Sequence, residues 1–246
     1  NYSDEKSEKI RDGLYALCNE VLFVRDRTND KRFHPRITAY NTYSYKFLDE
    51  NTRTAFYNLY EDFFYHRHNY FWSEEAMKKL PALISSTKML CCGEDLGMVP
   101  DCVPSVMNKL GILSLEIQRM PKEYNTAFSN LGKLPYLSVS TTSTHDMSPI
   151  RLWWKENRDA TQNYYNNILN YSGEAPHDCT PQICKEIMQL HIQSSSMWVV
   201  LPLQDWMSVS AHLSNTNPAD ERINIPSNPR HYWRWRMHIT LEELIN

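Results

Sequence analysis

Short apolar runs alternate with polar, helix-prone segments along the second part of the chain. Four of these runs have the length typical of buried strands: residues 88–92, 112–117, 136–140 and 198–203. Helices are predicted between them, at residues 100–109, 149–156 and 181–193. Parallel strands need crossovers of about this length, often helical ones, so the pattern predicts an α/β fold with a parallel sheet or barrel.

The first part of the chain has a different pattern, polar and rich in aromatic residues. Between Thr54 and His66 the apolar positions recur at helical spacing, which predicts a helix whose aromatic stripe packs in a core. A second helix is predicted from Ser73, a candidate N-cap, to Lys79. We therefore expect a helical subdomain at residues 1–87 and an α/β region at residues 88–246, within one large domain or part of one.

Composition and charge exclude several classes of function. The 246 residues carry a formal net charge of -3, which disfavours a nucleic-acid partner, and no apolar segment reaches the roughly 18 residues of a membrane span. The six cysteines lack paired zinc-site spacing, and the nine histidines are dispersed. We expect reduced thiols, no metal, no nucleotide cofactor and no membrane association.

Polar clusters that directly follow the apolar runs are the candidate chemistry. Glu94 and Asp95 follow the first run, the pair His145 and Asp146 follows the third, and Asp205 follows the fourth. The carboxyl ends of barrel strands hold active sites, and glycoside cleavage needs a carboxylic acid together with groups that stabilise a charged sugar. The residues alone leave two alternatives open: a carboxylate that caps a helix, and a purely structural His-Asp pair. Asp95 itself is expected to fix the turn or accept backbone hydrogen bonds.

Longer motifs extend these clusters in a fixed order. They are Gly93-Glu94-Asp95-Leu96-Gly97-Met98-Val99-Pro100, Glu116-Ile117-Gln118-Arg119-Met120-Pro121, Ser143-Thr144-His145-Asp146, Leu201-Pro202-Leu203-Gln204-Asp205 and Arg222-Ile223-Asn224-Ile225-Pro226. Together they resemble the signature motifs of glycoside hydrolase family 77, the amylomaltases. The segments 117–121 and 33–37 are similar to the branch of plant cytosolic disproportionating enzymes, which transfer glucosyl units from maltose to a glucan.

The resemblance implies a fold and a set of site residues. Residues 88–246 would form the C-terminal half of a (β/α)8 TIM barrel, strands five to eight, with residues 1–87 as a helical insertion. Glu94 would be the general acid/base and Asp146 the transition-state stabiliser, while His145, Asn224 and Gln118 would bind the sugar. The substrates would be maltose, malto-oligosaccharides and glucan, no cofactor or metal would be needed, and the location would be cytoplasmic.

The environment of these residues is also predicted. Apolar Leu90, Leu96 and Met98 are expected to surround Glu94 and desolvate its carboxyl. Trp153, Trp154 and the aromatic segment 232–235 are expected to pack rather than to contact sugar.

The nucleophile that a retaining mechanism needs is missing from these motifs. The family carries it in an Arg-x-Asp-His motif, and the most similar segment, Val24-Arg25-Asp26-Arg27, lacks the histidine. We expect Asp26 to belong to a surface turn, the nucleophile to lie before residue 1, and the chain alone to be inactive. Open edges of a half barrel predict a homodimer. Two alternatives stay open: a non-catalytic α-glucan-binding module and a different retaining α-glucoside hydrolase.

Overall fold

The computed structural model describes residues 4–245, which form two compact units. The first unit extends to Lys78 and includes Pro100–Cys102, and the second comprises Lys79–Val99 and the chain from Val103 onward. The division comes earlier than the predicted boundary at residue 87. That residues 1–87 form an insertion within a barrel stays a prediction.

Helices and one short hairpin make up the first unit. The helices are α1 (Glu5–Cys18), α2 (Tyr43–Lys46), α3 (Glu50–Glu61), a π-helical turn (Asp62–Arg67) and α4 (His68–Ser85), whose last turns belong to the second unit. The antiparallel hairpin consists of β1 (Phe23–Arg25) and β2 (Phe33–Pro35). The predicted helix in this region is confirmed, and Phe56 and Tyr60 of its stripe lie in the core with Ala39.

Ser73 does not begin a helix, so this prediction was wrong. It lies inside α4, because the backbone continues from α3 through the π-helical turn without a break. Serine favours a cap only where the preceding residues leave the helix, and here they are helical. The preference of one residue is therefore overridden by its neighbours.

A parallel three-stranded sheet lies at the centre of the second unit. Its order is β3 (Ser114–Ile117), β4 (Ser138–Thr141) and β5 (Trp198–Val199). These pairings confirm the predicted parallel sheet for the chain between Ser114 and Val199. The run at residues 88–92 was predicted as a strand, but it contributes only an isolated parallel bridge between Cys92 and Leu113. The fourth run pairs over two residues only, since Pro202 has no N–H to donate and directly precedes a helix.

Helices lie before, between and after these strands, and some of them supply the main core. They are α5 (Val103–Leu110), α6 (Ile150–Glu156), α7 (Arg158–Asn167), α8 (Pro181–Ile192) and α9 (Leu203–Met207), followed by α10 (Leu241–Ile245) near the end of the chain. Trp154 is fully buried and donates its indole N–H to the carbonyl of Pro176 at 2.8 Å. Trp153 packs against the same cluster, so the prediction that both tryptophans pack is confirmed.

Among residues 4–245, no helix combines the length and the apolar composition needed to cross a bilayer.

Candidate active site

Glu94 lies in a turn that follows the Cys92 bridge, between Gly93 and Gly97. A Cβ atom on Gly93 would approach the Met107 side chain to 2.8 Å, and Gly97 has a φ of 80°, which side chains rarely adopt. Within the turn, the carboxylate of Glu94 accepts a hydrogen bond from the N–H of Leu96 at 2.9 Å. The Glu94 side chain is exposed, so it is accessible to a ligand.

Asp95 points the other way, into the protein. Its Oδ1 accepts the N–H of Leu115 in β3 at 2.9 Å, and its Oδ2 forms an ion pair with Lys122 at 2.7 Å. Lys122 also bonds Glu116 at 2.8 Å. Of the two roles expected for Asp95, the acceptance of a backbone hydrogen bond is confirmed.

The apolar enclosure expected around Glu94 is not formed by the described residues. Leu90 and Met98 are both exposed, and Leu96 is half-buried. Because the turn lies at the surface of the second unit, these side chains have nothing to pack against on that side. The predicted desolvation of the Glu94 carboxyl is therefore wrong for the chain in this structure.

A second cluster joins residues from two distant loops. Asp146 Oδ1 accepts the amide of Asn224 at 2.5 Å, and Asp146 Oδ2 lies 3.2 Å from His145 Nε2. The side chains of His145 and Asp146 are 52% and 49% exposed. Three of the five predicted site residues thus meet in one accessible cluster, which we call the Asp146 cluster.

The loop that carries this cluster follows β4 and is held at both ends. Arg119 donates to the carbonyl of Thr142 at 2.8 Å and to that of Ser148 at 2.9 Å. Asp205 accepts the hydroxyl of Thr142 at 2.5 Å and the N–H of Ile150 at 2.9 Å. Burial lowers the pKa of Arg119 to about 10, which leaves it a cation at neutral pH. Burial also raises the pKa of Asp205, against the opposing effects of these hydrogen bonds and of Arg119.

Asn224 is placed by a separate set of contacts. Arg222 donates its Nε to the carbonyl of Asn224 at 2.9 Å and pairs through Nη1 with Glu156 at 3.0 Å. Glu156 ends α6 and also accepts the hydroxyl of Ser148 at 2.5 Å. The same helix therefore anchors both segments that meet at Asp146.

An exposed tryptophan borders the Asp146 cluster. The ring of Trp233 lies 4.7 Å from that of His145 between centroids, and Trp233 is 59% exposed. Tyr232 is exposed as well. The expectation that segment 232–235 packs was wrong for these two residues, since the segment has no helix or strand to hold it against the core.

Gln118 does not join the cluster. Its side chain is buried, and its carbonyl oxygen accepts the hydroxyl of Tyr164 at 2.6 Å. The structure therefore gives Gln118 a partner in the protein core, and its predicted contact with sugar stays a prediction.

Asp26 has the structural role expected of it. Its Oδ1 accepts the backbone N–H of Thr28 at 2.8 Å and that of Asn29 at 3.0 Å, and its Oδ2 pairs with His34 at 2.8 Å. Hydrogen bonds from Thr28 and His34 hold the pKa of Asp26 well below its usual range. The carboxylate is thus fully engaged in the turn between β1 and β2.

In the part of the chain that the structure describes, no group of three or more His, Cys, Asp or Glu side chains could hold a metal ion.

Comparison with known proteins identifies relatives along almost the whole chain. A family model, glycoside hydrolase family 77, described as 4-alpha-glucanotransferase, matches residues 29–241. The chain is 38% identical over 242 residues to the 4-alpha-glucanotransferase DPE2 of Oryza sativa subsp. japonica, which covers 98% of this chain and 26% of the rice protein. It is 30% identical over 175 residues to the 4-alpha-glucanotransferase of Chlamydia muridarum, covering 67% of this chain and 31% of that protein.

Solved structures give a weaker match. An amylomaltase from Streptococcus agalactiae in complex with acarbose aligns with a TM-score of 0.47 and 19% identity, over 62% of this chain and 28% of that chain. The chain thus spans less than a third of the length of each of these three proteins.

Proposed function

The chain belongs to glycoside hydrolase family 77, the 4-α-glucanotransferases, and from this we propose that it supplies the acid/base and the stabilising carboxylate of a longer transferase. In that protein, α-1,4-linked glucosyl units would pass from maltose or malto-oligosaccharides to a glucan acceptor with retention of configuration.

The reaction has two steps, and Glu94 transfers a proton in each of them. As the bond between C1 and the glycosidic oxygen breaks, Glu94 gives its proton to that oxygen, and an aspartate elsewhere in the longer protein bonds to C1. In the second step the Glu94 carboxylate takes a proton from the acceptor hydroxyl, whose oxygen displaces the aspartate. The exposed position of Glu94 in its turn supports this role.

The observation that carries the proposal is the Asp146 cluster. Asp146 holds Asn224 and His145 beside it while its side chain stays half exposed. A carboxylate flanked by an amide and an imidazole offers both acceptors and donors to adjacent sugar hydroxyls. Such charge-assisted hydrogen bonds strengthen as the sugar becomes an oxocarbenium-like cation, which gives Asp146 the role of stabiliser.

The sheet supports a finer proposal about the fold. We infer that the Cys92 bridge, β3, β4 and β5 correspond to strands five to eight of a (β/α)8 barrel. Their parallel pairing in sequence order is what a barrel requires, and helices lie between the Cys92 bridge and β3 and between β4 and β5. We also propose a cytoplasmic location, where the six free cysteines would stay reduced.

The test compares maltose disproportionation by three proteins, with glucose release measured in the presence of glycogen. These are the isolated chain, the longer protein that contains it, and that protein with Glu94→Gln. Activity of the longer protein alone, and a loss of at least about 100-fold in the Gln variant, are expected because proton transfer contributes this much or more. Asp146→Asn in the same protein should lose activity as well.

Two results would overturn parts of the proposal. Activity of the isolated chain would mean that a nucleophile lies within its 246 residues. An inactive longer protein that still binds glycogen would instead favour a glucan-binding module. Affinity electrophoresis in glycogen-containing gels separates these cases, because binding retards migration whether or not glucose is released.

A further inference from the structure

The five residues that follow β3 contact both candidate catalytic loops. This link segment, residues 118–122, is anchored by Gln118, whose side-chain oxygen accepts the buried hydroxyl of Tyr164. The backbone is fixed too, since the N–H of Ser129 donates to the carbonyl of Gln118 at 2.9 Å. The segment therefore has a firm base on the core of the second unit.

One end of the link segment holds the turn of Glu94. Lys122 lies 2.7 Å from Asp95 and 2.8 Å from Glu116, whose side chains are only 5% and 8% exposed. Asp95 is bonded directly to Glu94 along the chain, so a shift of the Asp95 carboxylate moves the Glu94 backbone. Two largely buried carboxylates that share one ammonium group leave little freedom for the turn.

The other end of the link segment holds the loop of Asp146. Arg119 reaches the carbonyls of Thr142 and Ser148, the residues on either side of the loop, through one guanidinium group. The same group lies 4.8 Å from the ring centroid of Trp153, which restricts it to one orientation. Arginine can make this fork of hydrogen bonds, whereas a lysine ammonium acts as a single point charge.

We propose that Lys122 and Arg119 are positioning residues that set Glu94 and Asp146 relative to the same sugar, an inference that rests on the proposed transferase function. Lys122 acts through Asp95 on the acid/base, and Arg119 acts through its loop on the stabiliser. Misplacement of a reacting group by about 1 Å can cost about 100-fold in rate, so each contact should affect a different part of the reaction.

The experiment separates the two roles by the leaving group and the acceptor. Maltose with glycogen needs proton transfer in both steps, whereas α-maltosyl fluoride with azide needs almost none, because fluoride leaves readily as an anion and azide attacks as one. Both pairs would be measured on the longer protein and on its Lys122→Met, Arg119→Lys and Lys109→Met variants. Lys109 is an exposed lysine at the end of α5 and serves as the matched control.

Lys122→Met is expected to lower kcat on maltose and glycogen by about 100-fold, and by less than about fivefold on the fluoride and azide pair. Arg119→Lys is expected to lower kcat on both pairs in parallel, because the stabiliser is needed with either leaving group. Lys109→Met should change neither. The proposal would be overturned if kcat of Lys122→Met fell equally on both pairs, or if kcat of Arg119→Lys recovered with fluoride and azide.

A substitute variant covers a folding defect, and two further results separate failure of the positioning roles from failure of the proposed function. If Lys122→Met does not fold by circular dichroism, Lys122→Gln, which can still donate to one carboxylate, provides the same comparison. If the unsubstituted protein transfers no glucosyl units, or Glu94→Gln retains full activity on maltose, the proposed function fails. If only the positioning roles are wrong, the unsubstituted protein still transfers glucosyl units and Glu94→Gln is still impaired. Only the effect of the leaving group on the Lys122 and Arg119 variants then differs from the expected one.

Discussion

Replacement of Asp205 by alanine is expected to lower the free energy of unfolding of the second unit by about 2–6 kcal/mol. Asp205 is 0% exposed and accepts two hydrogen bonds, one from the hydroxyl of Thr142 and one from the N–H of Ile150. Both donors are also buried. Each buried donor left without a partner costs about 1–3 kcal/mol, and the two together give the expected range.

Asp205→Asn is the matched control, because it removes the charge and keeps the shape. Its side-chain oxygen can still accept from Ile150, and its amide can donate to the hydroxyl of Thr142. Burial raises the pKa of Asp205 above its ordinary value of 3.8, so the ionised form is disfavoured in the folded state. The protonated form of Asp205 therefore stabilises the folded state, and this part of the free energy of unfolding is lost as pH rises through the raised pKa. The Asn variant does not titrate and lacks this dependence on pH. We expect the free energy of unfolding of this variant to lie within about 1 kcal/mol of that of the unsubstituted chain.

Urea unfolding of the isolated chain at pH 7, followed by tryptophan fluorescence, measures both variants. Of the seven tryptophans only Trp72 lies in the first unit, so the signal reports mainly on the second. The slope of free energy against urea must stay constant for the comparison to hold. Equal losses in the Ala and Asn variants would refute the reasoning, because the charge and not the two hydrogen bonds would then carry the effect.

Three further predictions concern pH, substrate contact and assembly. Burial lowers the pKa of His191 to about 4 from its ordinary 6.5, aided by Arg119 and opposed by a hydrogen bond to Ile187. The second unit should therefore lose about 3 kcal/mol of stability as pH falls from 6.5 to 4, and His191→Gln should lack this loss in urea titrations. In the longer protein, Trp233→Ala should raise KM for maltose about fivefold with kcat almost unchanged, since ring stacking contributes about 1 kcal/mol. Trp233→Phe should have a smaller effect, and an unchanged KM in Trp233→Ala would contradict this. The isolated chain should sediment as a dimer through the open edges of its sheet, and a monomer at every concentration would disprove that.

The sequence predicted most of the second unit because its pattern is local. The length of each apolar run and its flanking helices depend on neighbouring residues, and β3, β4 and α8 lie close to where the pattern indicates. The extent of pairing is not local, which is why the run at residues 88–92 forms only a bridge. A strand forms where a partner aligns with it, and the sequence of the run does not contain that information.

Candidate site residues were predictable to different degrees. Glu94 and Asp146 follow apolar runs directly, so a strand-end argument finds them, while Asn224 came only from the motif resemblance. The contact between Asn224 and Asp146 joins residues 78 positions apart. Lys122 was not singled out, and Asp205 was noted only as a carboxylate after the fourth run, because their partners lie 27 and 63 positions away and no spacing rule connects them.

Carboxylates occur in this site as pairs with opposite exposure, and the pairing explains how the site can be both accessible and ordered. Glu94 and Asp146 are exposed, as their proposed roles require, and exposed side chains at the tips of loops have few contacts to hold them. Each depends on a buried carboxylate, Asp95 for the first and Asp205 for the second. Hydrogen bonds to a charged group strengthen where water is excluded, so the buried member can fix a loop that the exposed member cannot fix for itself. The cost is visible in the raised pKa of Asp205, and it is offset by two hydrogen bonds and by the attraction of Arg119.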